Sequence, residues 1–453
     1  MDQTDILIVG AGSAGFGAAY RALKSGGCRV TLVEKNPGFG GTSTFGGVNC
    51  WEPGVGGNGV HFEIAERLMR QDEGFVGVYC GPGASREKPW ARSRRCGQPY
   101  EATLARAGRH ILYRFHFEPA AMDRVMHEML LEADSGEQLQ ILLESAVTDL
   151  EVLDRNITTV TVQTPSGKRV FAPKLVLDCS ADIAAARMAG CAYAVGEDAF
   201  SLYGEPSAPQ NPQCILNGMT QVFRVTPADS GFAEEIPARY GDVNLAGWNR
   251  FLHDVGCVCV LNDYPNGDIN VNMLPTIPGE ALLSMPFSEL KHLSEARAYA
   301  YWKWIGEKCH FNGYRIQRMF PALGIRESYR LAGRYVLTEN DLCNGFAESL
   351  GAGHTIAFAD HPADTHGHGS RLHSYGKYGI PYECMLPKEI ENLMVACRGA
   401  SFSHIAASSA RLSRTMIALG EAAGEAAAQC IHRNITPAEV DLDTVRHRLQ
   451  IEG

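Results

Sequence analysis

Residues Asp5 to Lys35 read DILIVGAGSAGFGAAYRALKSGGCRVTLVEK, and this run limits the fold more than any other. Ile6 to Val9 is wholly apolar, as expected of a buried parallel strand. Gly10, Gly12 and Gly15 follow as G-x-G-x-x-G. Ala14 through Lys24 predicts an Ala-rich helix, Val30 to Val33 predicts a second buried strand, and Glu34 ends it. This order is the βαβ dinucleotide fingerprint. Gly10 allows a sharp turn, Gly12 lets backbone approach a pyrophosphate, and Gly15 lets the helix pack close to the strand. Ser13 and Ala14 open the helix, whose free N–H groups and positive dipole end suit phosphates. Glu34, followed by Lys35, is placed to accept hydrogen bonds from ribose hydroxyls.

The next stretch, KNPGFGGTSTFGGVNCWEPGVGGNG, holds too many glycines for a helix or strand. It predicts a long loop whose backbone closely approaches a ligand. With this loop behind the fingerprint, the chain resembles the FAD-dependent oxidoreductases of the glutathione-reductase-like superfamily. The resemblance implies FAD as cofactor, with Gly40, Gly41 and Thr42 along its pyrophosphate and ribityl chain. It implies that Val147, at the end of a predicted strand, meets the adenine edge through its backbone. A hairpin turning at Pro165, Ser166 and Gly167 and a strand from Lys174 to Asp178 complete that region. After that strand, relatives read Asp-Ala-Ser/Thr-Gly-Asp; this chain reads Asp178, Cys179, Ser180, Ala181, Asp182, so Ala replaces the Gly of a tight turn. Ser180 and Asp182 are the cofactor candidates there.

The C-terminal third carries the second resemblance. YGIPYECMLPKEIENLMVACRGA and GEAAGEAAAQ are similar to the family patterns IPYR.L.P..I.NL..AGR and GQAAGTAAA, with Cys397 in place of Gly and Glu421 in place of Gln. ARLSRTMIALGEAAGEAAAQC predicts one long helix, with Gly420 and Gly424 suited to close packing. Its N-terminus is expected to face the N1–C2=O2 end of the isoalloxazine. Arg398 and Ser409 complete the cofactor set. LGIRES and HPADTHG are similar to family segments, which makes Arg326, Asp364 and His366 the catalytic candidates, with His404 beside the flavin-proximal turn as another. Arg326 is read as a ligand for a substrate carboxylate or the flavin, or as an ion pair with Glu327 or another acid.

The implied fold class is α/β: a discontinuous Rossmann-type FAD-binding domain with an inserted α+β substrate or cap domain. The expected divisions are 1–200 and 326–453 for the FAD-binding halves, with a largely helical insertion at about 60–135, and 201–325 for the cap. SREKPWARSRRCGQ is expected to be a solvated loop. His361, His366, His368 and His373 crowd one loop, but their spacing fits no metal motif, and no metal is expected. YWKWIGE approaches the WxWxIP signature of flavin halogenases but ends on Gly306 and reads as a helix end.

A net charge of −10 argues against nucleic acid as a partner. No apolar run reaches the roughly 18 residues of a membrane span. The 14 cysteines form no CxxC pair, and the first charges are Asp2 and Asp5, so a cytoplasmic location with reduced thiols is expected. The expected partner is a small-molecule substrate exchanging a hydride with flavin N5. A flavin monooxygenase and a non-redox protein with structural FAD or another nucleotide are the alternatives. GPGASR at Gly81 lacks a preceding strand, and GAGH at Gly351 lacks a third glycine. NAD(P)H is therefore expected only by transient docking.

Overall fold

The computed structural model describes residues 1–451 except 53, 56–58, 81–84, 86, 98–99, 101–112, 137, 230 and 366–371. The fingerprint folds as strand β1 (Asp2–Val9), helix α1 (Ser13–Ser25) and strand β2 (Val30–Val33). A parallel sheet runs in the order Leu139–Leu142, β2, β1, Gly167–Asp178, Leu393–Val395. Both faces of β1 are covered. Ile6 and Ile8 pack into a core with Phe16 and Leu23 of α1, whereas Leu7 and Val9 pack into a second core with Val147, Val160 and Ile183. That is why the run is apolar without alternation.

Strand Gly167–Asp178 is shared between two arrangements. Its first residues pair antiparallel with Asn156–Thr164, which pairs in turn with Ala146–Leu153. Its last three residues pair parallel with Leu393–Val395. The hairpin falls at Thr164 and Gly167, as the turn residues predict. Val147 differs from expectation: it begins the strand Ala146–Leu153 instead of ending the one before it. The polar residues Glu144 and Ser145 break the run, and Glu144 takes a φ of 51°.

Helix Ser413–Arg433 lies beside α1 in the same direction, through matched glycines. A Cβ on Gly420 would fall 2.0 Å from Ala14 O, and one on Gly424 would fall 2.3 Å from Ala18 O. Gly17 answers from α1, its missing Cβ leaving room for Ile417 O at 2.5 Å. The helix predicted from Ala410 starts instead at Ser413: Ala410 ends a separate helix, His404–Ala410, and Arg411 and Leu412 break the two apart. Leu412 takes an extended ψ of 148° and starts the second helix afresh.

A second sheet of eight strands draws on distant segments. Its order is Tyr314–Met319, Phe223–Pro227, Ile269–Asn272, Cys259–Asp263, Trp90–Arg95, Gly74–Cys80, Tyr113–Phe117, Cys50–Trp51. Here the structure corrects the expectation of a largely helical 60–135. Helices Val60–Arg70 and Pro119–Ala133 form, but three strands lie between them. Trp90–Arg95, expected as solvated loop, is an inner strand. Arg92 is tied to Asp263 at 3.0 Å, and only Ser93 is fully buried, so no apolar alternation marks the strand. Helix Phe287–Cys309 covers this sheet with Tyr301, Trp302 and Ile305. Trp302 packs edge-on to Phe223 with ring centroids 5.7 Å apart, which makes the halogenase-like tryptophan a core residue. The described cysteines are all free. Among the described residues no helix is long and apolar enough to cross a membrane, and no group of three or more His, Cys, Asp or Glu could hold a metal ion.

Candidate functional site

A cavity of ≈ 440 Å³ opens at the C-terminal ends of the parallel strands, lined by Val9, Val33, Cys179 and Cys397. This is where open α/β sheets bind ligands. The cavity reaches from Glu34 and Val147 to Thr220, Arg326 and Arg411, on the side of the second sheet.

At the first end the glycines divide their tasks. Gly10 turns with φ +96°, and a Cβ there would meet Cys179 O at 2.7 Å. A Cβ on Gly15 would strike Gly10 O at 1.7 Å, so Gly15 packs the helix and does not line the cavity. Gly12 faces the cavity, and a Cβ there would meet no atom within 4 Å. Helix α1 has no side-chain cap and no acid in its first turn, so its N–H groups and positive end at Ser13 and Ala14 stay available. Glu34 is buried, and its Oε2 accepts from Ala11 N at 2.6 Å. Its Oε1 accepts from Asn36 N at 2.8 Å and Asn36 Nδ2 at 2.6 Å. Of roughly four acceptor positions on a carboxylate, one remains for a hydroxyl. Lys35 is exposed at the rim. The glycine-rich loop docks on the same turn. Gly40 N donates to Ala11 O at 2.9 Å. Gly41 lies close enough that its Cβ would be 3.2 Å from Gly12 Cα. Thr42 and Gly41 line the cavity, and Gly40 supports them from behind.

The turn after Asp178 holds despite the missing glycine. Ala181 takes a left-handed φ of 67°, which costs a side chain about 1 kcal/mol. Asp178 pins it, accepting from Ser180 N at 3.0 Å, Ser180 Oγ at 2.6 Å and Ala186 N at 2.9 Å. Burial pushes the Asp178 carboxyl above its usual range. Asp182 pairs with Arg398 at 2.7 Å and accepts from Ser328 Oγ at 2.6 Å, and both Asp182 and Arg398 line the cavity.

Helix Ser413–Arg433 delivers a second N-terminus. It too lacks a side-chain cap and an acid in its first turn, and Leu412, Ser413 and Arg414 line the cavity. Ser413 Oγ lies 3.3 Å from Ser43 Oγ, which accepts from Trp51 Nε1 at 3.0 Å. Because it runs parallel to α1, two uncapped N-termini open on one cavity.

The inner end is dense with charge. Arg114 pairs with Glu52 at 2.5 Å, and Arg414 pairs with Asp360 at 2.6 Å. His361 Nε2 lies 3.5 Å from Glu52, and its buried Nδ1 has no hydrogen-bond partner among the described residues. Burial holds the His361 imidazole below its usual pKa, hence neutral. Arg411 lies 3.6 Å from Asp364. Arg326 donates through Nη1 to Gly218 O at 2.7 Å and Thr220 Oγ1 at 2.8 Å. Cys50 also lines the cavity, but burial pushes its thiol up to about 11.

Of the catalytic candidates, Asp364 and Arg326 line the cavity and His404 does not. His404 is buried behind it, with Nδ1 2.9 Å from Glu327 and its backbone N–H donating to Asp198 at 2.8 Å. Glu327 is paired with Arg330 and His404, not with Arg326. His366 lies outside the described residues. Ser409 also lies off the cavity; its hydroxyl donates to His361 O and meets the Tyr378 hydroxyl at 2.5 Å, so it positions the His361 backbone. Glu52 beside strand Cys50–Trp51, Arg114 in strand Tyr113–Phe117, Arg411 capping helix His404–Ala410 and Arg414 in the first turn of helix Ser413–Arg433 also come to the site, and the sequence does not flag them.

A nucleotide-cofactor enzyme is the class this turn, paired helix termini and cavity define. The chain belongs to the FAD dependent oxidoreductase family, whose match spans residues 5–449. FAD is its cofactor. No protein of curated function matches the sequence. Among solved structures, the chain is similar to a geranylgeranyl bacteriochlorophyll reductase-like protein from Thermoplasma acidophilum, at 13% identity over 99% of this chain and 83% of that one, TM-score 0.44. It is also similar to a flavoprotein/dehydrogenase from Cytophaga hutchinsonii, at 13% identity over 99% and 83%, TM-score 0.46. A third is the flavin-dependent brominase Bmp2, at 13% identity over 99% and 83%, TM-score 0.47.

Proposed function

We propose that the chain moves a hydride between a small-molecule substrate and FAD held in this cavity, within the glutathione-reductase-like superfamily. The observation that carries the reading is the Gly12 face: a Cβ-free backbone at an uncapped helix N-terminus, open to a cavity that continues to a charged inner end. The five-stranded parallel order with its antiparallel meander supports the superfamily assignment. Gly10 to Ala14 would hold the pyrophosphate and Glu34 the ribose. Val147 would meet the adenine, with Gly41, Thr42, Ser180, Asp182 and Arg398 along the chain between. The N-terminus at Leu412 to Arg414 would lie against the pyrimidine side of the ring system, where negative charge collects on reduction. Bound FAD supplies two-electron chemistry, exchanging a hydride at N5 with a substrate carbon.

The chain's own residues handle the proton. His361, neutral and with Nδ1 unpartnered among the described residues, would accept the proton that leaves a substrate hydroxyl or amine as its carbon loses hydride. Glu52 at 3.5 Å would stabilise the imidazolium formed. Asp364, held by Arg411, would orient the substrate. Residues 1–200 and 326–453 would form the FAD-binding part and 201–325 the cap, with strands from 50–117 completing the cap sheet. In this direction an external acceptor would take the electrons from reduced FAD; in the opposite direction NAD(P)H would dock transiently as the hydride donor and His361 would return the proton to the substrate. The purified protein should be yellow, with flavin absorption bleached by dithionite. A colourless protein that takes up no added FAD would refute this reading.

A further inference from the structure

The inner end of the cavity holds more cationic than anionic groups. Arg114 and Arg414 are each matched by a carboxylate, Glu52 and Asp360. Arg398, farther out, is matched by Asp182. Arg411 and Arg326 are left with Asp364 between them. Asp364 is 3.6 Å from Arg411, and no carboxylate lies within ion-pair distance of Arg326 among the described residues. Among the described residues Arg326 is held through Nη1, by Gly218 O and Thr220 Oγ1. The Nε of Arg411 is buried without a hydrogen-bond partner among the described residues.

Two guanidiniums on one largely buried wall share one carboxylate among the described residues, so one positive charge is in excess. Removing a charge from water is expensive unless it is paired. Burial, then repulsion from Arg411, pushes the Arg326 guanidinium down to about 9, as expected of a cation short of a partner. The pyrophosphate is an unsuitable counter-ion for it, because its cradle at Gly10 to Ala14 lies at the opposite end.

We propose that the substrate is a small organic acid, and that its carboxylate is gripped between Arg326 and Arg411. A planar carboxylate fits the forked donors of a guanidinium, and two such groups orient it in two dimensions. Arg326 Nη2 and Nε, which make no hydrogen bond to the described residues, and the Nε side of Arg411 would supply the donors. With the carboxylate fixed there, the carbon bearing the reacting hydroxyl or amine would lie toward His361 and Asp364. This rests on the reading of the cavity as the FAD site.

The test uses the FAD-loaded protein and two probes of similar shape, sodium propionate and propionamide, at fixed ionic strength. Binding is read as a change in the flavin absorption spectrum and, independently, as heat by calorimetry. Propionate should saturate both signals and propionamide should not. Arg326→Gln and Arg411→Gln should each weaken propionate at least tenfold and retain FAD, while Arg326→Lys should weaken it less than Arg326→Gln. Equal binding of acid and amide, or no loss in either Gln variant, overturns the proposal. A second overturning result is a lowered flavin reduction potential in Arg326→Gln with propionate binding intact, which would assign the charge to the reduced cofactor instead. A chain that takes up no FAD refutes the cofactor reading alone, because the calorimetric arm still decides whether the two arginines bind the acid.

Discussion

Glu421 offers the sharpest test of the helix pairing. It lies on helix Ser413–Arg433, is 8% exposed, and accepts a hydrogen bond from the Val60 backbone N–H. The neighbouring cation, Arg21, is already committed to Glu425 at 2.7 Å. Burial dominates and raises the Glu421 carboxyl from 4.5 to about 8. Between these values the folded chain holds a proton that the unfolded chain has released. Stability from this group is therefore complete below pH 4.5 and is lost as pH rises through 8. The slope is about 1.4 kcal/mol per pH unit. At pH 7 the deficit reaches about 3 kcal/mol, and it levels off above pH 8. Glu421→Gln keeps an oxygen for Val60 and carries no charge to bury. Its new amide N–H costs about 1 kcal/mol if it finds no acceptor. Net stabilisation of about 2 kcal/mol is expected at pH 7, with none at pH 5. Urea unfolding with saturating FAD at pH 5, 6, 7 and 8, followed by tryptophan fluorescence, measures the difference. A gap that stays constant with pH, or a variant less stable than the parent at pH 8, would refute the reasoning.

Gly12→Val should fold with an unchanged far-ultraviolet spectrum, since Gly12 sits at φ −67° with open space beside it, yet lose FAD retention at least tenfold; stoichiometric flavin in the purified variant would contradict the cradle. Gly420→Ala should destabilise by about 3 kcal/mol, because its methyl would overlap Ala14 O at 2.0 Å, and should also weaken FAD through displaced Ala14; a melting temperature equal to the parent's counts against it. Ala181→Gly should stabilise by about 0.5–1 kcal/mol by relieving the left-handed φ of 67°, read as a raised urea midpoint with FAD affinity unchanged.

The dinucleotide end was legible because each of its requirements is local. The run from Asp5 to Lys35 contains strand, turn, helix, strand and acid in one window, and every part sits where the window puts it. The same holds for Gly420 and Gly424, whose spacing of one helical turn needs only a partner backbone to become a crossing. The second sheet was not legible for the opposite reason. Trp90–Arg95 pairs with Cys259–Asp263, far along the chain, and Arg92 and Arg94 are paired with Asp263. A strand whose charges are neutralised by a distant carboxylate shows neither alternation nor an apolar run. The helix break at Leu412 was hidden too, since Ala, Leu, Ser and Arg suit either a continuous helix or a restart.

The inner end combines both limits. Resemblance pointed to Asp364 and Arg326, and both reached the cavity. His404, equally conspicuous beside its turn, instead closes a buried network with Glu327, Arg330 and Asp198. What separates the two outcomes is charge accounting that only three dimensions allow. Glu327 is already shared between Arg330 and His404, so it cannot serve Arg326 one residue before it. Strand Ala363–Asp364 instead carries the carboxylate that Arg411 and Arg326 face together. The excess of arginine at the inner end follows from that sharing, and under the proposed carboxylate grip it would tie specificity to pairings outside the fingerprint.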